Sequence, residues 1–261
     1  MKKIFPLAGL SMMMLLTACT THYQLTDVSR SRILVDRRYD ASPDAQATAF
    51  LAPYKQKVDE VMSPVVGRVA HDMAVNRPES DLSNLLPDIF VYMAKNYNEQ
   101  PDFAVYNMGG IRAALSKGDV TYGDVLDVAP FENKICFLTL TGEKVQELFA
   151  QIAKRGGEGV SKGVQLVITK DGKLVSAHLH GKEIDPQGTY RVTTIDYLAQ
   201  GNDGLVAFKS GTNLVSPQDD QNNARYVIRD YFKEMLQKGQ VVDSKIEGRI
   251  VIEDCRLKIE D

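Results

Sequence analysis

Apolar residues in this chain recur at two spacings, and together they predict most of its regular elements. From Pro43 to Met62 they fall at Phe50, Tyr54, Val58 and Val61-Met62, a helical repeat. Ser42 is placed to cap that helix and Pro43 suits its first turn. A second helix is predicted over Ser80–Tyr97, where Leu82, Leu85-Leu86, Ile89-Phe90 and Met93-Ala94 form one stripe. A third starts at Thr141-Gly142 and runs through Val145, Leu148 and Phe149, and a fourth covers Ala224–Leu236. Thr121–Val128 includes a short helical turn. Short apolar runs bounded by turn residues predict strands at Ile33–Val35, Val65–Val69, Phe103–Tyr106, Lys134–Leu140, Val164–Thr169, Leu174–Leu179 and Tyr190–Thr194. Helices and strands alternate without a steady βαβ rhythm. The expected fold class is α+β, a mixed α/β domain in which helices flank a mixed sheet.

The first residues follow another pattern. Lys2-Lys3 precede an apolar run from Ile4 to Leu16, and Leu16-Thr17-Ala18-Cys19 resembles a bacterial lipobox. That resemblance implies a lipoprotein signal peptide over residues 1–18, acylation of Cys19 and a membrane anchor through it. The expected location is the bacterial cell envelope, at the outer membrane or its periplasmic face. Residues 19–32 are polar and read as a tether. Residues 33–261 contain no linker rich in Gly, Ser or Pro, so they read as one domain.

Composition narrows the function. A formal net charge of −3 in 261 residues argues against a nucleic-acid polymer as partner. Three cysteines are too few for a disulfide scaffold. Cys136 lies in the apolar run Ile135-Cys136-Phe137-Leu138 and reads as a small buried hydrophobe, and its pairing with Cys255 stays open. His178 and His180 alternate on a strand, where a solvated or partly packed face is expected rather than a metal site. No metalloprotease, phosphate-loop or nucleophile-elbow motif occurs. Arg155-Gly156-Gly157-Glu158-Gly159 reads as a flexible turn.

Three loops carry unusual chemistry. Asn107-Met108-Gly109-Gly110-Ile111-Arg112 combines an amide, two glycines that allow close backbone approach, and a planar guanidinium suited to phosphate or a diol. Pro130-Phe131-Glu132-Asn133 sets an aromatic ring beside an amide. Thr194 through Gly204 carries Tyr197 and then Asp203 in a Gly-Asn-Asp-Gly turn. Singly, the first and third read more readily as structural turns, and the second equally well as a loop whose Phe tucks into the core. Together they hold what a nucleoside requires: flat faces for the base, polar groups for its edge, and a carboxylate for ribose.

At these loops, and at Leu140-Thr141-Gly142, the sequence resembles the C-terminal domain of the 5′-nucleotidase family, over roughly Ile33 to Leu236. The resemblance implies a substrate-recognition domain, with the helix at about 43–62 corresponding to the family's connecting helix. It implies that Phe131 and Tyr197 sandwich the base, the second ring often being Phe. Asn107, Arg112 and Asp203 fall on ligand-contacting positions. Asn133 and Gly163 match less distinctive positions, and Arg77 a further arginine. None of the D-x-H, G-N-H-[DE] or G-H-x-H signatures of the family's metallophosphatase domain occurs in these 261 residues. The expectation is therefore the recognition half of a 5′-nucleotidase, not catalytic alone, with no metal or other cofactor in this chain. A separately encoded metallophosphatase would carry the divalent metals. Two alternatives are a non-catalytic surface lipoprotein that binds nucleosides or nucleotides, and a structural or partner-binding lipoprotein with a decayed pocket.

Overall fold

The computed structural model describes residues 24–253. The proposed signal peptide, Cys19 and Cys255 lie outside the described residues. The chain divides into two compact units, residues 1–51 and 52–261. The division falls within helix α1 (Ala45–Met62). In the first unit, Asp36 caps a 3-10 turn at Arg37–Tyr39. Residues 33–35 are not a strand but exposed, irregular chain. Three β-formers have no strand character without a neighbour to pair with. The cap of α1 is also displaced from its expected place. Asp44, not Ser42, accepts the free N–H groups of Gln46 and Ala47, both at 2.8 Å. No residue of α1 is buried.

The second unit contains β1 (Val65–Val69), α2 (Asp81–Met93), β2 (Phe103–Tyr106), β3 (Gly118–Thr121) and α3 (Tyr122–Val128). There follow β4 (Ile135–Thr141), α4 (Gly142–Lys154), β5 (Gly159–Val160), β6 (Val164–Thr169), β7 (Leu174–Leu179), β8 (Lys182–Glu183) and β9 (Thr189–Ile195). The last elements are α5 (Asp196–Ala199), β10 (Thr212–Val215), α6 (Ala224–Gln237) and β11 (Ile250–Glu253). Three sheets form among the described residues, with strand orders β1-β3, β10-β4-β9-β2-β5 and β11-β6-β7-β8. The fold is the expected mixed α/β arrangement. Strands β3, β5, β8, β10 and β11 are additions to the sequence reading.

Helix α4 joins two of the sheets. Thr141 caps it by accepting the Lys144 N–H. Val145, Leu148, Phe149 and Ile152, at i, i+3, i+4 and i+7, are buried against β4, β6, β7 and β9. The Phe149 ring meets Phe103 of β2 at 5.3 Å between centroids. Helix α2 covers β2 and β5 and packs on α6. Cys136 is fully buried in β4, and burial pushes its thiol up to about 12. No helix among the described residues is long and apolar enough to cross a membrane.

The capping box of α3 carries a local prediction. Thr121 Oγ1 accepts the Asp124 N–H at 3.2 Å, and Asp124 Oδ2 accepts the Thr121 N–H at 2.7 Å. Thr121→Ala should therefore cost about 1 kcal/mol of stability in thermal or denaturant unfolding. A variant as stable as the parent would mean that β3, not the cap, fixes the start of α3.

Candidate functional site

Strand direction brings the chemically unusual loops to one edge of the five-stranded sheet. β2 and β9 run parallel, so the turns after Tyr106 and Ile195 leave on the same side. β4 is antiparallel to β9 with Ile135 opposite Ile195, so the loop before β4 arrives there too. β5 is antiparallel to β2 with Gly159 opposite Tyr106, which delivers the turn after α4 to the same edge. Four connections remote in sequence thus meet where two parallel strands end, a common location for ligand sites in open sheets.

They enclose a cavity of about 260 Å³ lined by Asn107, Gly109, Gly110, Phe131, Asn133, Arg155, Tyr197 and Asp203. Phe131 is 47% exposed and Tyr197 37% exposed, large areas for aromatic side chains that border a pocket. Neither ring stacks on another aromatic among the described residues. The Phe131 loop is held from behind. Arg225 Nη1 donates to Pro130 O at 3.0 Å, and the Ala224 N–H donates to Asn133 O at 2.8 Å.

The polar wall is built on Asp203, which sits at φ 55 between Gly201 and Gly204. Left-handed backbone is tolerated by Asp better than by most residues, and here it turns the carboxylate toward the other loops. Tyr197 donates its hydroxyl to Asp203 Oδ1 at 2.9 Å, and Asn107 Nδ2 donates to Oδ2 at 2.8 Å. The hydrogen bond to Asp203 raises the Tyr197 phenol above its usual range. Asn107 Oδ1 is buried and has no hydrogen-bond partner. Behind this wall lies Glu158, 1% exposed. Its Oε2 accepts the Met108 N–H at 2.6 Å, and its Oε1 accepts from Arg77 Nη2 at 2.8 Å and from Arg155 Nε. Burial works against the Arg155 charge, but Glu158, supported by Asp203, outweighs it and raises the guanidinium pKa.

The structure gathers Asn107, Phe131, Asn133, Tyr197 and Asp203 around one cavity. Arg77 and Arg112 are not among its lining residues. Arg77 is turned onto Glu158, and exposed Arg112 donates to Gly109 O at 3.2 Å. Gly163 is not among the lining residues either. At φ +99 it faces the His180 ring, and a Cβ there would lie 2.4 Å from that ring. His180 itself departs from the expected alternation, because β7 ends at Leu179 and His180 takes φ 51 with Nε2 at 3.1 Å from Asp102 O. Among the described residues no group of three or more His, Cys, Asp or Glu side chains is placed to hold a metal. The sequence reading missed Arg155 and Glu158. Their one visible signal was an opposite-charge pair flanking Gly156-Gly157, directly after a helix.

A second hollow of about 320 Å³ is lined in part by Cys136, Leu138, Phe208 and Leu214. It has a single aromatic ring and no arginine, so the chemistry suited to a base and a sugar is concentrated at the first cavity.

The sequence matches the family described as 5′-nucleotidase, C-terminal domain, over residues 65–210. The chain belongs to this family. The matched region of this 5′-nucleotidase C-terminal domain contains every residue that lines the cavity. Among its relatives is the trifunctional nucleotide phosphoesterase protein YfkN of Bacillus subtilis, 31% identical over 86% of this chain and 16% of that protein. The 5′-nucleotidase of Vibrio vulnificus is 28% identical over 83% of this chain and 38% of its own length. In three dimensions the domain resembles a 5′-nucleotidase precursor from Thermus thermophilus, with a TM-score of 0.70 at 27% identity, covering 82% of this chain and 45% of that one. The chain thus spans well under half the length of each of the two sequence relatives and less than half of the solved structure.

The Tyr197 hydroxyl provides a graded test of the cavity. For the nucleoside that the sequence resemblance implies, Tyr197→Phe keeps the ring and removes one donor to Asp203, so adenosine affinity should change by about 0.5–1.5 kcal/mol. Tyr197→Ala should weaken it by more, since the stacking face is lost as well. Equal effects of the two substitutions in calorimetry would show that the hydroxyl, not the ring, makes the contact.

Proposed function

We propose that this domain is the nucleotide-recognising half of a 5′-nucleotidase, contributing to nucleotide hydrolysis together with a separate metallophosphatase. The observation that carries this reading is that the Phe131 and Tyr197 rings border the same cavity as the Asn107–Asp203–Arg155 polar wall. The names of the relatives, 5′-nucleotidase and nucleotide phosphoesterase, support it.

In this reading the base stacks on the two rings, a contribution of about 1–3 kcal/mol per base. Asn133 addresses the base edge. Asp203 accepts hydrogen bonds from ribose hydroxyls, and a ligand donor satisfies the orphaned Asn107 Oδ1. Arg112 and Arg77, outside the cavity lining, take the phosphate side. In this division of labour the partner protein supplies the divalent metals and the metal-activated water, and this chain contributes binding and orientation. Acylation at Cys19 would attach the domain to the envelope membrane, each buried methylene contributing about 0.8 kcal/mol. Mass spectrometry of the envelope fraction should find an acylated N-terminal Cys19 peptide, absent in Cys19→Ala.

Calorimetric titration with adenosine and with AMP tests the binding claim, and saturable heat is expected. No heat at millimolar ligand would remove the nucleoside reading. Release of phosphate from AMP by this chain alone, with Mn²⁺, would overturn the division of labour.

A further inference from the structure

Arg155 lies within reach of two carboxylates, and the way it is shared between them determines what Asp203 can offer. Its Nε donates to Glu158 Oε1, while its Nη2 stays 3.7 Å from Asp203 Oδ2, within ion-pair range but beyond hydrogen-bond distance. Asp203 already accepts one hydrogen bond on each oxygen, from Tyr197 and from Asn107. A carboxylate has about four acceptor sites, so room remains for ligand hydroxyls. A guanidinium fork docked fully on Asp203 would use that room and would be hard to displace.

We propose that Glu158 is a positioning residue that tethers Arg155 away from Asp203 and so keeps that carboxylate open to the ligand. The proposal rests on the nucleoside reading above for the identity of the ligand. Glu158 is built for a tether. Its side chain has no exposure, and all of its acceptor capacity is directed inward. Oε1 takes Arg155 and Arg77, and Oε2 takes the Met108 main chain next to Asn107. A carboxylate this buried persists only when paired, so it does not release its arginines easily. Arg77 adds a second cation on the same oxygen. Glu158 therefore stays anchored even when Arg155 moves slightly.

The test compares the full chain with Glu158→Gln and with Glu158→Gln combined with Arg155→Met. Adenosine titration should show affinity falling tenfold or more in the single variant, as Arg155 turns onto Asp203. The double variant should recover most of that loss because the competing cation is gone. A loosened fold would give no such recovery. A crystal structure of ligand-free Glu158→Gln should show Arg155 within hydrogen-bond distance of Asp203. Unchanged affinity, no recovery in the double variant, or Arg155 left at its present distance would each overturn the proposal. If the parent chain itself gives no heat with adenosine, the nucleoside reading fails and the crystallographic distance alone decides the tether. Should Glu158→Gln not fold, Glu158→Asp keeps the charge one methylene short and should show the same order of effects at smaller amplitude. Parent-like binding by a folded Glu158→Asp with Arg155 shifted onto Asp203 would also overturn it.

Discussion

Phe131→Ala should weaken adenosine binding by about 1–3 kcal/mol, or about 5- to 150-fold, with almost no change in melting temperature. The two halves of this expectation have separate causes. The ring is half exposed at the cavity mouth and stacks on no other aromatic of the described residues, so its removal leaves no void in the core. The loop that carries it is held by anchors that do not involve the ring. Arg225 binds Pro130 O, the Ala224 N–H binds Asn133 O, and Lys134 Nζ donates to Asn223 Oδ1 at 2.6 Å. These anchors remain in the alanine variant. Titration calorimetry paired with thermal unfolding checks both halves. Unchanged affinity would place the base elsewhere, and a large loss of stability would mean that the ring serves packing rather than ligand.

Gly157→Ala should act from behind the site and do more damage. Gly157 has φ +108, and a Cβ there would stand 2.3 Å from the backbone oxygen of Pro78. Backbone strain of about 1–3 kcal/mol and overpacking of about 1–3 kcal/mol both apply. A loss near 3 kcal/mol, or roughly 6–12 °C in melting temperature, is expected. Binding should suffer too, because relieving the clash moves Glu158 relative to Arg77 and Met108. Gly239→Ala is the control: it has φ +67 with nothing within 4 Å of the added Cβ, so only the backbone strain remains. If the two variants lose the same stability, the close approach to Pro78 is not what requires glycine at 157.

These expectations separate what was legible in the chain from what was not. The periodicity of α2, α4 and α6 and the apolar runs of β2, β4, β6, β7 and β9 were readable, because burial of one face imposes a local repeat. The residues Asn107, Phe131, Tyr197 and Asp203 were readable as unusual combinations in loops, although each loop alone was ambiguous. Short strands such as β5 and β8, two residues each, carry no period and exist only through their partners. The proposed strand at Ile33–Val35 shows the reverse case, adequate propensity with no partner.

By itself, then, the sequence determined the inventory: the apolar faces of α2, α4 and α6, where the chain turns, and which loops carry rings, amides, guanidinium groups and carboxylates. Only the tertiary structure decided which of these side chains share a cavity, because that depends on the directions of β2, β4, β5 and β9 within one sheet. It set Gly163 aside and turned Arg77 onto Glu158. It also brought in Arg155 and Glu158, a pair three residues apart whose further partners, Asp203, Met108 and Arg77, lie about 50 to 80 residues distant in the chain. A local pattern records which face of an element is buried, whereas pairing between charges depends on distances that only the folded chain defines.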